Sequence, residues 1–164
     1  MHIQTPKDYI AQISQTPDSD PSVQFFTGLD GIKQAYLETL TISPEEPIYA
    51  FLHPSIVTDE LYQWLTTDYV NQRVAKGIFA HVFVTSDRGS ERVAQYLESD
   101  QQEKRQTHVV EAYEHHFDCE VNIYDGKVAF YVFDNPDTYQ AVIINNPTVS
   151  QTLKSFYLHY LWKI

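Results

Sequence analysis

The 164-residue chain carries 11 Lys and Arg against 22 Asp and Glu, and its net charge of −11 repels polyphosphate, which argues against nucleic acid as a partner of this chain alone. With 43% hydrophobic and 14% aromatic residues and only 5 Gly, the chain is suited to one globular core and not to disorder. Cys119 is the single cysteine, which excludes an internal disulfide, and neither MHIQTPKDYIAQ nor any later stretch holds an apolar run beyond strand length, so a cytoplasmic chain without membrane contact is expected.

Thr5-Pro6 followed by Asp8 opens a helix with Tyr9, Ile10 and Ile13 on one stripe, and the turn-rich QTPDSDP, Gln15 to Pro21, reads as a linker. Residues 1–21 therefore precede a domain at 22–164. Val23 to Phe26 is a short strand, and Gly28 and Asp30 start a helix with Ile32, Tyr36, Leu37 and Leu40 at helical spacing. IYAFLH between Pro47 and Pro54 is a buried strand. Thr58 caps a long helix bearing Leu61, Trp64, Leu65, Tyr69, Val70 and Val74, which ends at Gly77. Ile78 to Asp87 is a third strand, Ser90 to Glu98 a helix, Ser99 to Thr107 a polar connection and His108 to Tyr113 a further short strand. After a hairpin come the turn DNPDTY, the strand Ala141 to Asn145, and a last helix from Pro147 with Val149, Leu153, Phe156, Tyr157, Tyr160 and Leu161 on one face. Strands separated by helices early and a meander late describe an α/β sandwich with a mixed β-sheet flanked by helices.

The hairpin FDCEVNIYDGKVAFYVFDN, Phe117 to Asn135, turns at Asp125-Gly126, a pair suited to a two-residue type I′ turn. Such a turn sets Tyr124 opposite Lys127, Asn122 opposite Ala129, Glu120 opposite Tyr131 and Asp118 opposite Phe133, all on one face. Cys119, Val121, Ile123, Val128, Phe130 and Val132 form an unbroken apolar set on the other, where Cys119 is a packing residue. The mixed acidic and aromatic face is either solvated sheet surface or a ligand site, and spacing alone favours the first.

Other candidates for chemistry are sparse. His115, His116, Asp118, Cys119 and Glu120 have metal-ligand types, but neighbours in a strand diverge to opposite faces and no second cluster completes a site, so neither metal nor cofactor is expected. His81 reads as a hydrogen-bonded sheet histidine. His53, Phe26, Thr27, Thr85 and Ser86 stand at carboxyl ends of strands, where ligands of open α/β sheets gather, and are pocket candidates. Arg73 could reach an acidic pocket, although an ion pair is its commoner fate. Phosphate loops, G-x-S-x-G and H-E-x-x-H do not occur.

Five stretches in order, FFTGLDGIKQAYLETL, PIYAFLH, YVNQRVAKGIFAHVFVTSD, CEVNIYDGKVAFYVFD and AVIINNPTVSQTLKSFYLHYLW, resemble the phospholipase D-like effector domain of TrmB-type transcriptional regulators over about Val23 to Trp162. The Gly after the first strand, Arg73 with Gly77-Ile78, the Tyr124 to Ala129 hairpin and the aromatic end of the last helix carry most of the likeness. Active phospholipase D-type enzymes bear His-x-Lys, an Asp seven residues after the His, and later Gly-Ser-x-Asn. Setting their Asp on Asp125 puts Asp118 at the nucleophilic His, Glu120 at the Lys, Val132-Phe133 at Gly-Ser and Asn135 at the Asn. Imidazole, ammonium and hydroxyl are all missing, and carboxylates there would repel a phosphodiester.

An acidic, aromatic face of Asp118, Glu120, Tyr131 and Phe133 suits a neutral sugar or polyol, a cation or an amine, and the resemblance implies the same direction: a non-catalytic, sugar-responsive sensor that forms a homodimer. Unlike those regulators, the sequence shows no winged-helix segment before Val23, so DNA contact is expected only through such a domain if one is attached. The alternatives are a divergent phosphodiesterase or other hydrolase using Asp118 and Glu120, and a protein interaction module.

Overall fold

Ser22–Thr27 (β1), Ile48–Leu52 (β2), Ala80–Ser86 (β3), Arg105–Glu111 (β4), Glu120–Tyr124 (β5), Lys127–Val132 (β6) and Gln140–Asn145 (β7) form one seven-stranded sheet. The computed structural model describes residues 21–86, 91–111 and 118–161, so the expected amino-terminal helix, most of the linker and the pair His115-His116 lie outside the described residues. The strand order is β1-β7-β6-β5-β2-β3-β4. β2, β3 and β4 run parallel, joined by helical crossovers, while the remaining neighbours pair antiparallel.

Helices cover both sides. Gly28–Glu38 (α1), Asp59–Trp64 (α2), Val70–Ala75 (α3) and Glu91–Ser99 (α4) contribute to one layer, and Pro147–Leu161 (α5) forms the other. The larger core joins Ile32, Ala35, Tyr36, Leu61, Leu65, Tyr69 and Val93 to the strand residues Ile48, Ala50, Leu52, Val82, Val84, Ala129 and Tyr131. A smaller core joins Tyr157 of α5 to Phe83, Val110, Ile123 and Val128. Alternate residues of each central strand supply the two cores, as the period of two requires. The result is the α/β sandwich anticipated from the sequence, a mixed β-sheet flanked by helices.

The long helix after Thr58 is present, with the Thr58 hydroxyl accepting from the Leu61 amide at 3.5 Å, but one π-helical turn, Leu65–Tyr69, separates α2 from α3. Widening the helix there shifts its carbonyl partners, and threonine hydroxyls take up the slack: Thr66 donates to the carbonyl of Tyr62 at 2.9 Å and Thr67 to that of Gln63 at 2.8 Å.

In the hairpin, Asp125 (φ 41) and Gly126 (φ 71) both occupy the left-handed region, as a type I′ turn demands. Glu120 faces Tyr131, Asn122 faces Ala129 and Tyr124 faces Lys127. Two expectations change. The β5–β6 ladder ends at the pair Glu120–Tyr131, so Asp118 and Phe133 are not a cross-strand pair. The face bearing Glu120, moreover, is not solvated surface, because it lies against the larger core. β4 also begins earlier than expected, at Arg105, whose buried guanidinium is neutralised by Asp100 and Glu103.

Candidate functional site

On the sheet face covered by α1 to α4, β2 and β3 present the small or short side chains Ala50, Ala80 and Val82, while β5 presents Glu120 and Asn122. The floor is therefore shallow. Opposite it, the π-helical turn and α3 bring Leu65, Tyr69 and Arg73 over the sheet. A cavity of about 70 Å³ remains between them, with Tyr36, Tyr96 and Arg105 completing its polar and aromatic wall.

Glu120 is only 7% exposed. Its Oε2 accepts from the Tyr36 hydroxyl at 2.8 Å and its Oε1 from Asn122 Nδ2 at 3.0 Å. Burial pushes its pKa up from 4.5 to about 7, partly offset by those two hydrogen bonds. Asn122 Oδ1 is buried and has no hydrogen-bond partner among the described residues.

The aromatic wall is rigidly packed. Tyr36 stacks on Tyr131 with ring centroids 4.2 Å apart and meets Tyr69 edge-on at 5.3 Å. Tyr131 donates to the Ala35 carbonyl at 3.1 Å, and Tyr69 shares a 2.7 Å hydrogen bond with Thr39. Burial raises the Tyr69 hydroxyl to about 12 and lifts Tyr36 and Tyr131 well above the ordinary tyrosine value, so all three stay neutral donors at physiological pH.

The cationic end is different. Arg73 is buried, and its guanidinium donates to the carbonyls of Ile78, Lys104 and Glu103 instead of to a carboxylate. Burial accordingly lowers its pKa. Arg105 is held by Asp100, Glu103, Ser99, Thr107 and the Tyr96 carbonyl. Both guanidinia therefore direct donors at the protein itself.

Of the residues expected from the sequence to form a pocket, Glu120 and Arg73 line this cavity. Tyr131 backs Tyr36, and Phe133 stacks behind Tyr131 at 6.4 Å without reaching the cavity wall. Asp118 is exposed in the bend before β5. His53 is buried at the turn after β2, where its Nδ1 accepts from the Ser55 amide at 3.3 Å. Phe26 packs half-buried against the larger core, and Thr27 is exposed at the head of α1 without capping it. Thr85 is fully buried, but it alternates with Val84 and so faces the α5 side of the sheet. Ser86 ends β3, away from the residues of that strand that line the cavity, Ala80 and Val82.

Asn122, Tyr36, Tyr69, Tyr96 and Arg105 were not anticipated. The spacing Glu120-x-Asn122 puts both side chains on one strand face, and Tyr69 and Arg73 stand one helical turn apart, so those signals were readable once the covering layer was known. Among the described residues no group of three or more His, Cys, Asp or Glu could hold a metal. Cys119 is a half-buried free thiol whose pKa is raised, by burial first.

No protein-family model matches the sequence, and no curated protein matches it. Solved structures do. TrmBL2, an archaeal chromatin protein whose structure shows a novel mode of DNA binding, matches with a TM-score of 0.55 at 17% identity, over 96% of this chain and 59% of that one. NucT from Helicobacter pylori matches with a TM-score of 0.57 at 11% identity, over 87% of this chain and 96% of that one. The chain thus spans 59% of the length of the archaeal protein, and at these identities the likeness is one of fold.

Proposed function

We propose that the chain is a cytoplasmic, non-catalytic ligand-sensing domain of a TrmB-like transcriptional regulator, and that Glu120 and Asn122 are the recognising groups for a sugar or polyol. The observation that carries this reading is the burial of Glu120, which the resemblance to phospholipase D-type enzymes sets where they bear a lysine. A carboxylate held by Tyr36 and Asn122 inside a cavity accepts hydroxyl donors and opposes a phosphoryl group. A hydrolase using Asp118 and Glu120 together finds no support in the geometry, since one is exposed and the other is buried in the core. Homodimerisation belongs to the same proposal. Phe25 on β1 and Phe156 on α5 are each 59% exposed, which suits an apolar contact between copies, and sedimentation showing only monomer at high concentration would remove that part.

The test is ligand-induced thermal stabilisation, which follows affinity by mass action. Neutral sugars or polyols should raise the melting temperature of the wild type and not that of Glu120→Ala. Phosphate and nucleotides should raise neither. A clear shift by phosphate alone, or hydrolysis of a generic phosphodiester that Glu120→Gln abolishes, would overturn the proposal.

A further inference from the structure

An inner chamber of about 70 Å³ is roughly half the size of the ~150 Å³ cavities that admit benzene, so it takes a hydroxymethyl-sized group and not a whole sugar. Directly outside it, between α2 and α4, lies a groove of about 460 Å³, within the ~300 to 1,000 Å³ range of ligand pockets. The two share three wall residues: Thr66, Tyr96 and Arg105. Arg105 is fixed by its hydrogen bonds and holds its guanidinium 4.2 Å from the Tyr96 ring, so Tyr96 is a supported part of the shared wall. The wider π turn brings Thr66 to this wall, and its hydroxyl is already committed to the carbonyl of Tyr62.

We infer that cavity and groove are one two-chambered site, entered between α2 and α4, for a neutral molecule that places a hydroxyl against Glu120 and Asn122 and leaves a polar body in the outer groove. On the ligand-sensing reading above, this names where the ligand enters and what its chemistry is. At the inner end the lining acceptor is the Glu120 carboxyl, whose two oxygens take one hydrogen bond each, from Tyr36 and Asn122, while the donors of Arg73 and Arg105 are spent on the protein. The ligand must therefore bring the donor. A cation would meet two guanidinia in the wall, and an anion would meet Glu120 inside and Glu98 and Glu103 outside. Gln95 and Gln102 along the groove offer amides that suit further hydroxyls.

Linear alditols of increasing length test this by calorimetric titration: glycerol places one hydroxymethyl group in the inner chamber with little beyond it, and xylitol and sorbitol extend further along the groove. Affinity should rise at least about tenfold from glycerol to sorbitol. Gln102→Ala, an exposed change, should remove most of that increment and leave glycerol binding unchanged. Thr66→Phe should block glycerol and sorbitol alike while the circular dichroism spectrum stays native. If Glu120→Gln abolishes binding but Thr66→Phe and Gln102→Ala leave sorbitol affinity unchanged, the inner site stands and the two-chambered entry is wrong. Equal affinity for glycerol and sorbitol also overturns it. If sugars bind but no alditol does, the hydroxyl-head geometry falls, and if neither binds, the sensing reading falls with it.

Discussion

Ionising a carboxyl group that is 7% exposed and faces no cation at hydrogen-bond distance is costly, and Glu120 bears that cost with two neutral donors, Tyr36 and Asn122. Its folded pKa of about 7 lies above 4.5, so the native state holds this proton more tightly than the unfolded chain does. The stabilisation is therefore complete below about pH 4.5 and is lost as pH rises through about 7, by about 3 kcal/mol in all. Glu120→Gln keeps the shape and removes the titration. In urea denaturation the stability of wild type minus that of the variant should fall by about that amount between about pH 5 and about pH 8. Parallel profiles would show that Glu120 is solvated in the native protein. Asp118, two residues earlier, is exposed, and nothing in the strand pattern distinguishes the two acids. The difference comes from where β5 begins and from the layer of helices over it, which are tertiary facts.

At the scale of elements, what could be read from sequence is what depends on neighbours along the chain. Asp125-Gly126 determines the hairpin register by turn chemistry alone, and the pairs down to Glu120 and Tyr131 follow from it. Gly126→Ala should therefore cost about 1 kcal/mol or more, because φ of +71 strains any Cβ-bearing residue. A Cβ there would sit 3.5 Å from Pro147 Cγ, an ordinary contact, so the cost is in the backbone and not in packing. Asn tolerates the left-handed region better, and Gly126→Asn should recover part of the loss in urea titrations. Equal losses for Ala and Asn would contradict this cause. The π-helical turn was not legible, since Leu65, Tyr69 and Arg73 fit a regular helix as well. Nor was the start of β4, because Arg105, Gln106 and Thr107 look like loop until Asp100 is seen to bind the Arg105 side chain and the Thr107 amide. The cavity escaped for a related reason: its wall comes from β2, β3, β4, β5, α1, α3, α4 and the π turn, and no local pattern unites them.

At the scale of the molecule, charge and fold point in different directions, and the difference can be measured. The archaeal chromatin protein with the same fold binds DNA, but this chain spans only 59% of its length, and a shared fold does not carry a binding surface with it. With 22 acidic against 11 basic residues, a net −11, the chain has no excess of cations with which to displace the counterions of a duplex. Among the described residues the two buried arginines, Arg73 and Arg105, are moreover committed to carbonyls and carboxylates in the interior. The 164-residue chain by itself should therefore leave duplex DNA unshifted in a gel at physiological salt and micromolar protein. Lowering the salt should not rescue binding, because weaker screening strengthens repulsion between like charges as much as attraction between opposite ones. A retarded band that grows as salt is lowered would reveal a basic surface that composition hides, and would make this domain a direct contributor to DNA contact.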